Sequence, residues 1–355
     1  MARGFLLATV LACAAAPALA QSSVTIYGLI DVGLVREHGA AAGPVTKVSS
    51  GMSNGSRLGI KGQEALADGW AALFLLENGF QLDDGSVGQG GVTFGRQAYV
   101  GVRSPMGTLT AGRQYTSHFD TMVMVDPFQT GTVGDAKNLI PSSGDANTRM
   151  SNSLRLTSAV WHGLTGEVMY APGEIAGSDR AGRQLGGALT YLAGPLVLRL
   201  GYHYRNNDTL TRRTSSARNL LLGATYQFAS VKAHLAYGID KGVNSAILRN
   251  GSNPYGYAIA PTPSSDSTDL LVGLSAVRGA HTLMASYICK NDRTAFNQDA
   301  TQVAIGHRYA LSRRTDTYIA VSHISNQRGA GYTVGHASEI GSASQVYSAG
   351  VRHLF

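Results

Sequence analysis

From residue 22 to its last residue the chain alternates apolar and polar side chains. In Val231–Asp240, Val231, Ala233, Leu235, Tyr237 and Ile239 oppose Lys232, His234, Ala236, Gly238 and Asp240. Leu196, Leu198, Leu200, Tyr202 and Tyr204 oppose Val197, Arg199, Gly201, His203 and Arg205. Leu220, Leu222, Ala224, Tyr226 and Phe228 oppose Leu221, Gly223, Thr225 and Gln227, and Val303, Ile305, His307 and Tyr309 oppose Gln302, Ala304, Gly306 and Arg308. The chain closes on Tyr347, Ala349, Val351, His353 and Phe355 against Ser348, Gly350, Arg352 and Leu354. A period of two is the signature of a strand. An apolar face bounded by aromatic rings, opposite a face of Arg, Lys, Gln, Thr and Gly, suits a strand between lipid and a water-filled lumen.

Sixteen such segments are predicted, near 22–34, 55–63, 69–80, 92–103, 107–114, 152–161, 164–172, 183–193, 195–206, 217–228, 230–240, 267–278, 280–290, 300–310, 314–325 and 344–355. Their length suits the ~9–11 residues a tilted strand needs to cross a bilayer. The connections alternate in length. Ala193-Gly194, Ala229-Ser230, Gly279 and Leu311-Ser312-Arg313 are short, whereas 35–54, 115–151, 241–266 and 326–343 are long. Short turns at one end and long loops at the other describe a transmembrane β-barrel. An even strand count returns both termini to one side, and sixteen strands leave an aqueous channel. A soluble β-sandwich also alternates, but its strands are shorter and its inner face is dry and apolar.

The N-terminus predicts export. Arg3 precedes an apolar run from Phe5 to Ala16, followed by Pro17 and Ala18-Leu19-Ala20. This reads as a signal peptide over residues 1–20, with the barrel domain over 21–355. Lipidation at Cys13 is a weaker alternative, because Val10-Leu11-Ala12 fits that signal only loosely. Cleavage leaves one cysteine, Cys289, and hence no internal disulfide. Beyond residue 20 no stretch approaches the ~20 apolar residues of a membrane-spanning helix. Glycine makes up 44 of 355 residues, charged residues only 14%, and the net charge is +7. The basic residues are scattered, so nucleic acid is not expected as a partner.

Several segments resemble the general porins of Gram-negative bacteria, closest to the neisserial and Burkholderia-type group. They are Ser23-Val-Thr-Ile-Tyr-Gly-Leu-Ile-Asp-Val-Gly33, Ser56-Arg-Leu-Gly-Ile-Lys-Gly-Gln-Glu64 and Gly69–Phe80. Phe94–Gly101, Gly107–Tyr115, Asn152-Ser-Leu and the closing Gly350-Val-Arg-His-Leu-Phe355 extend the match across the chain. One departure is Gln63-Glu64-Ala65-Leu66-Ala67, where the family shows an acidic pair and a glycine; an altered turn is expected there. The resemblance implies an all-β, 16-stranded antiparallel barrel of the outer membrane, assembled as a homotrimer, with the loop 115–151 folded into the lumen as a constriction. It also implies that Phe355, with Tyr347 at the other end of the strand, forms the assembly signal read by the barrel-assembly machinery. The surroundings are outer-membrane lipid and lipopolysaccharide.

Selectivity in such a channel needs charged groups at a narrowing. The long connection contains Asp120, Asp126, Asp135, Lys137, Asp145 and Arg149. The resemblance assigns the opposing wall to Arg57, Arg96 and Arg113, with Arg149 as a further basic position. Arginine stays charged and grips carboxylate or phosphate in bidentate fashion. Arg96 shares parity with Phe94, Ala98 and Val100, so alternation alone does not place it in the lumen. Arg199, Arg205, Lys232, Arg308 and Arg352 all fall on polar faces, with Asp240 as the clear acidic partner. The expectation is passive diffusion of small hydrophilic solutes and ions, with a preference for anions. A substrate-specific channel or an adhesin acting through its external loops is the alternative. No aromatic ladder lies on the predicted lumen faces.

Catalytic motifs find no context. Gly51-Met-Ser-Asn-Gly55 matches G-x-S-x-G, but that motif needs a strand-to-helix elbow and here precedes a strand. Gly85, Gly88, Gly90 and Gly91 lie in no strand–helix unit. The ten histidines are scattered without ligand spacing. No enzyme activity, cofactor or metal is expected.

Overall fold

The structure is a computed structural model that describes residues 22–141 and 147–355. The expected signal peptide and Asp145 lie outside the described residues. The remainder forms seventeen antiparallel strands in one closed sheet. They are β1 (Ser22–His38), β2 (Val45–Ser50), β3 (Arg57–Ala65), β4 (Ala71–Gly79), β5 (Gln97–Ser104) and β6 (Gly107–Tyr115). Next come β7 (Arg149–Ser158), β8 (Leu164–Ala171), β9 (Gln184–Ala193), β10 (Leu196–Arg205), β11 (Ala217–Phe228) and β12 (Val231–Ala246). The last are β13 (Ser264–Arg278), β14 (His281–Asp292), β15 (Ala300–Ala310), β16 (Thr315–Asn326) and β17 (Gln345–Leu354). β2 pairs with the upper half of β1 and β3 with its lower half, so the two are pieces of one stave. The barrel therefore has sixteen staves and closes where β1 meets β17.

Alternation decides which face is which. Val24 is 67% exposed and Leu235 50%, whereas Asp31, His203 and Lys290 are fully buried. The first kind points at lipid and the second at the lumen. Tyr170, Tyr202, Tyr237 and Tyr287 lie on the outer face, each six residues beyond the first residue of its strand. Tyr191, Tyr226, Tyr309 and Phe355 form the opposite belt, beside the short turns. Two aromatic belts around an apolar band mark the bilayer.

Three expectations shift. β1, β12 and β13 run past the predicted ends, to His38, to Ala246 and from Ser264. They carry the barrel wall above the upper belt, where neither face is lipid and alternation fades. Residues 92–96 are a bend rather than strand, so parity does not carry back from Val100 to Arg96. The stave β2–β3 breaks at residues 51–56 because Asp31 captures that segment. Its Oδ2 accepts from Ser53 N (3.0 Å) and Asn54 N (2.9 Å), and Tyr318 donates to Oδ1. The G-x-S-x-G match is thus part of a backbone clamp. The divergent turn after β3 turns through Asp68 (φ 57°) and Gly69 (φ 76°), with Leu66 N donating to Trp70 O.

Closure rests on the chain end. Gly28 N donates to Phe355 O (3.0 Å) and Phe355 N to Gly28 O (3.1 Å). The Phe355 ring lies so close over Gly28 that a Cβ there would sit 2.2 Å from it. Deleting Phe355 should cost about 2 kcal/mol, one for each lost backbone bond. The check is heat-modified mobility on gels: the barrel-to-unfolded shift should occur at lower temperature, and an unchanged midpoint would refute the role of this seam.

Candidate functional site

The long connection between β6 and β7, in its described residues 116–141 and 147–148, does not project outward. It begins with a helix, Ser117–Val125, capped where Thr116 Oγ1 accepts from Phe119 N. The helix lies against the inner wall, held by polar contacts at both ends. Arg199 Nε donates to Thr121 Oγ1 (3.0 Å), Ser117 Oγ to Glu167 (3.0 Å), and His234 Nδ1 lies 3.1 Å from Val125 O. The wall makes room for it with glycines. A Cβ on Gly201 would meet Thr121 Oγ1 at 2.3 Å, and one on Gly223 would meet Val125 Cγ1 at 2.0 Å. On Gly273 it would meet Pro127 Cγ at 2.3 Å, and on Gly306 Phe128 Cε1 at 2.7 Å. Four strands thus present a groove shaped to the segment 121–128.

Past the helix the chain turns sharply. Gln129, Thr130 and Thr132 all have positive φ, a strained arrangement that neighbouring contacts must enforce. Asp126 supplies much of that constraint. Its carboxylate accepts from Phe128 N (2.9 Å), Thr130 N (2.8 Å) and Ala136 N (3.0 Å). Burial, followed by the charge of Asp135, pushes this carboxyl up to about 7 despite those donors. The turn is pressed against the clamp segment of the β2–β3 stave: Thr132 N donates to Met52 O, and a Cβ on Gly131 would collide with Ser53 O at 1.8 Å. The buried imidazole of His118 is lowered to about 4 by desolvation, so the helix docks uncharged at that position.

A cavity of about 370 Å³ remains beside the loop. Among the described residues, five cationic side chains line it: Arg57, Arg96, Arg149, Lys137 and Arg249. Arg96 Nε donates to Glu77 Oε1 (2.8 Å) and its Nη2 to the Tyr115 hydroxyl (2.7 Å). Arg149 lies over the Tyr115 ring at 5.0 Å, and its Nε donates to Arg96 O (2.9 Å). Arg57 Nε donates to Gly55 O, with Nη1 at 3.9 Å from Glu77. Arg249, from the connection after β12, donates to Asn138 Oδ1 (2.6 Å), His336 O (2.7 Å) and Glu339 O (2.9 Å). It ties the inward loop to the last external connection. Burial lowers the Arg249 pKa below that of a free guanidinium, although Asp135 at 3.2 Å opposes this. Glu339 is the one carboxylate among the described lining residues. Burial raises its pKa, but the His336 imidazole and then Lys47 and Ser49 hold it well below the usual carboxylate range.

This placement divides the expected residues. Arg57, Arg96 and Arg149 converge. Arg113 sits to one side, its Nε donating to Gly95 O (2.8 Å) and Nη1 to Ser151 Oγ (2.6 Å). Of the described loop carboxylates, Asp135 engages Lys137 and Arg249 of the cavity, whereas Asp126 and Asp120 are taken up elsewhere. Asp126 is consumed by backbone amides. Asp135, fully buried, pairs with Lys137 (3.1 Å) and Arg249. Asp120 pairs with Arg155 (2.8 Å) farther round the wall, beside Glu167 and Arg199. A buried carboxylate in a tight loop is satisfied locally before it can face a pore. Arg205 lies on the same face as Arg199 and donates to Asn207 (3.4 Å). Lys232, Arg308 and Arg352 line a second cavity at the short-turn mouth with Arg313, where Arg352 pairs with Asp316 (2.5 Å).

Glu77, Tyr115, Arg155 and Arg249 were not singled out from sequence. Glu77 had a readable signal: an acid inside Ala71-Ala-Leu-Phe-Leu-Leu-Glu77 can only face the lumen. Arg249 had none, because an external loop has no periodicity.

A closed sheet with lipid-facing aromatics, a polar lumen and an inward loop beside a cationic cavity defines a diffusion channel of an outer membrane. The chain belongs to the Gram-negative porin family, which matches residues 7–329. An outer membrane porin of Bordetella pertussis is 29% identical over 92% of this chain and 95% of its own length. Outer membrane porin protein 32 of Delftia acidovorans is 27% identical, covering 98% of this chain and 94% of its own. Major outer membrane protein P.IB of Neisseria gonorrhoeae is 27% identical over 93% and 96%. Among solved structures, an anion-selective porin from Comamonas acidovorans superposes with a TM-score of 0.77 at 24% identity, covering 94% of this chain and all of the other. The chain is thus a porin of the Gram-negative outer membrane, crossing it as a sixteen-stranded barrel.

Proposed function

We propose that this porin passes small hydrophilic anions in preference to cations, with Arg57, Arg96 and Arg149 as the selecting wall. The observation that carries this reading is the convergence, among the described residues, of five cationic side chains on the cavity beside the inward loop, where Glu339 is the one described lining carboxylate. Low-dielectric walls focus that excess charge onto a passing ion. Lys232, Arg308, Arg313 and Arg352 continue the bias to the short-turn mouth, against Asp316. The anion selectivity of the Comamonas porin, which shares this fold, agrees. No chemical step is assigned to these residues: the groups hold and release ions, and the solute emerges unchanged. We place the barrel in a homotrimer, inserted by the barrel-assembly machinery through the strand ending in Tyr347 and Phe355 and surrounded by lipopolysaccharide.

Single-channel recording under a salt gradient tests the reading. The expected result is conductance steps grouped in threes and a reversal potential of anion sign. A reversal potential of cation sign, from folded protein, would overturn the assignment of the arginine wall while leaving the porin intact.

A further inference from the structure

Below the inward loop the lumen holds the second cationic cavity, of about 460 Å³, which shares no described lining residue with the cavity beside the loop. Its wall is the short-turn end of the barrel. Lys232 is the second residue of β12 and Asp316 the second of β16, whereas Arg308 and Arg352 lie two residues before the ends of β15 and β17. Arg313 lines it from the turn between β15 and β16. Its roof is the elbow of the inward loop, at Pro127 and Gln129. The elbow is fixed there because Pro127 packs on Gly273 and Phe128 on Gly306, and Gly306 is the next lumen position to Arg308.

We infer that this cavity is a second anion site, separate from the arginine wall, for small oxyanions that carry two or more carboxylate or phosphate groups. The four cations are not equally committed. Arg352 is spent: its Nε donates to Asp316 Oδ2 (3.0 Å) and its Nη1 to Asn54 Oδ1. Asp316 is the one described lining carboxylate, and that pair cancels. Arg308 Nη2 reaches the Met284 sulfur at 4.0 Å, and Lys232 and Arg313 make no hydrogen bond or ion pair among the described residues. Three uncompensated cations around one space repel each other, and an anion held between them relieves this. A monovalent anion neutralises one of them. An anion with two or three oxyanion groups reaches the cations of β12, of β15 and of the turn together. Guanidinium forks bind such groups in bidentate fashion. The volume also suits the purpose, because small-molecule sites run from about 300 to 1,000 Å³. An anion that has passed the wall meets this site next on its way to the short-turn mouth, so the two cavities act in series.

The inference rests on the anion reading for the sign of the ion, and its test is a count of bound ligand rather than a potential. Full-length folded protein in neutral detergent at low salt is dialysed to equilibrium against labelled citrate, pyrophosphate or acetate. Wild type is expected to hold two citrate or two pyrophosphate ions per chain, one in each cavity, and acetate far more weakly. The citrate and pyrophosphate arms tell a carboxylate ligand from a phosphate one. In Lys232→Gln/Arg308→Gln, which strands no paired carboxylate, one of the two should remain and the other weaken about fivefold per lost cation, roughly twenty-five-fold in all. In Arg57→Gln/Arg149→Gln the short-turn site should remain. One ion per chain in wild type, lost in the wall variant, would overturn the inference even if the other variant does not fold. Acetate bound as tightly as citrate and pyrophosphate would overturn it too, since a site for several oxyanion groups must prefer them. A reversal potential of cation sign defeats the anion reading, whereas a missing second ion defeats this site alone.

Discussion

Replacing Gly223 by Leu is expected to lift the inward loop from the wall and raise single-channel conductance by a factor on the order of two, as a lumen obstruction is withdrawn. The clash is direct: even a Cβ at this site would lie 2.0 Å from Val125 Cγ1 and 3.2 Å from Met124 Cε. Inserting methylenes into a packed contact costs typically about 1–3 kcal/mol, and the cost falls on whichever partner yields more easily. The wall is a continuous hydrogen-bonded ladder, with β11 paired along its length to both β10 and β12. The helix is held to it by a few side-chain contacts, chiefly through Arg199, Glu167 and His234. The loop therefore moves first. Gly201→Leu should act in the same direction, because its Cβ would strike Thr121 Oγ1 and Ser117 O. Ala224→Leu, one residue along on the lipid side, is the control and should leave conductance unchanged. Folded Gly223→Leu protein with wild-type conductance would show that the groove does not seat the loop.

That glycine groove also shows where sequence reading ends. The strands and their faces were legible, because lipid and water impose opposite demands on alternate residues of every stave. The lumen placement of Arg199, Lys232, Arg308 and Arg352 follows from that alone. Glycine is silent in such a pattern. Gly201, Gly223, Gly273 and Gly306 sit correctly on the polar faces, but nothing in an alternating run tells a glycine that seats a loop from one that merely fills the face. Arg96 was ambiguous for a different reason: the bend at 92–96 resets parity, and a bend is set by long-range contacts, here with Glu77. The acids of the inward loop were the least readable. Asp126 and Asp135 look like pore charges in a list of residues. They are buried because a loop folded into a lumen has many backbone amides to satisfy and few other acceptors nearby. The break at 51–56 is similar, since it depends on Asp31, whose own strand looks regular.

Neutralising the wall tests the other large effect. In Arg57→Gln/Arg149→Gln, the reversal potential under a salt gradient should move from anion sign toward zero. One unit charge about 4 Å from an ion contributes about 1 kcal/mol even through water, a factor of about five in local anion concentration. Two such charges dominate a cavity whose remaining cations are partly committed. Asp135 engages Lys137 and Arg249, and Glu77 engages Arg96. Arg96 is left in place deliberately. Glu77 is only 3% exposed, so removing its closest partner would strand a buried carboxylate and confuse loss of selectivity with loss of fold. The complementary change, Glu77→Gln, releases Arg57 and Arg96 from their shared acid and should strengthen anion preference. The two variants thus move the potential in opposite directions from wild type. If both move it the same way, or neither moves it, the selecting charges lie elsewhere, and the cationic mouth formed by Lys232, Arg308 and Arg352 becomes the place to look.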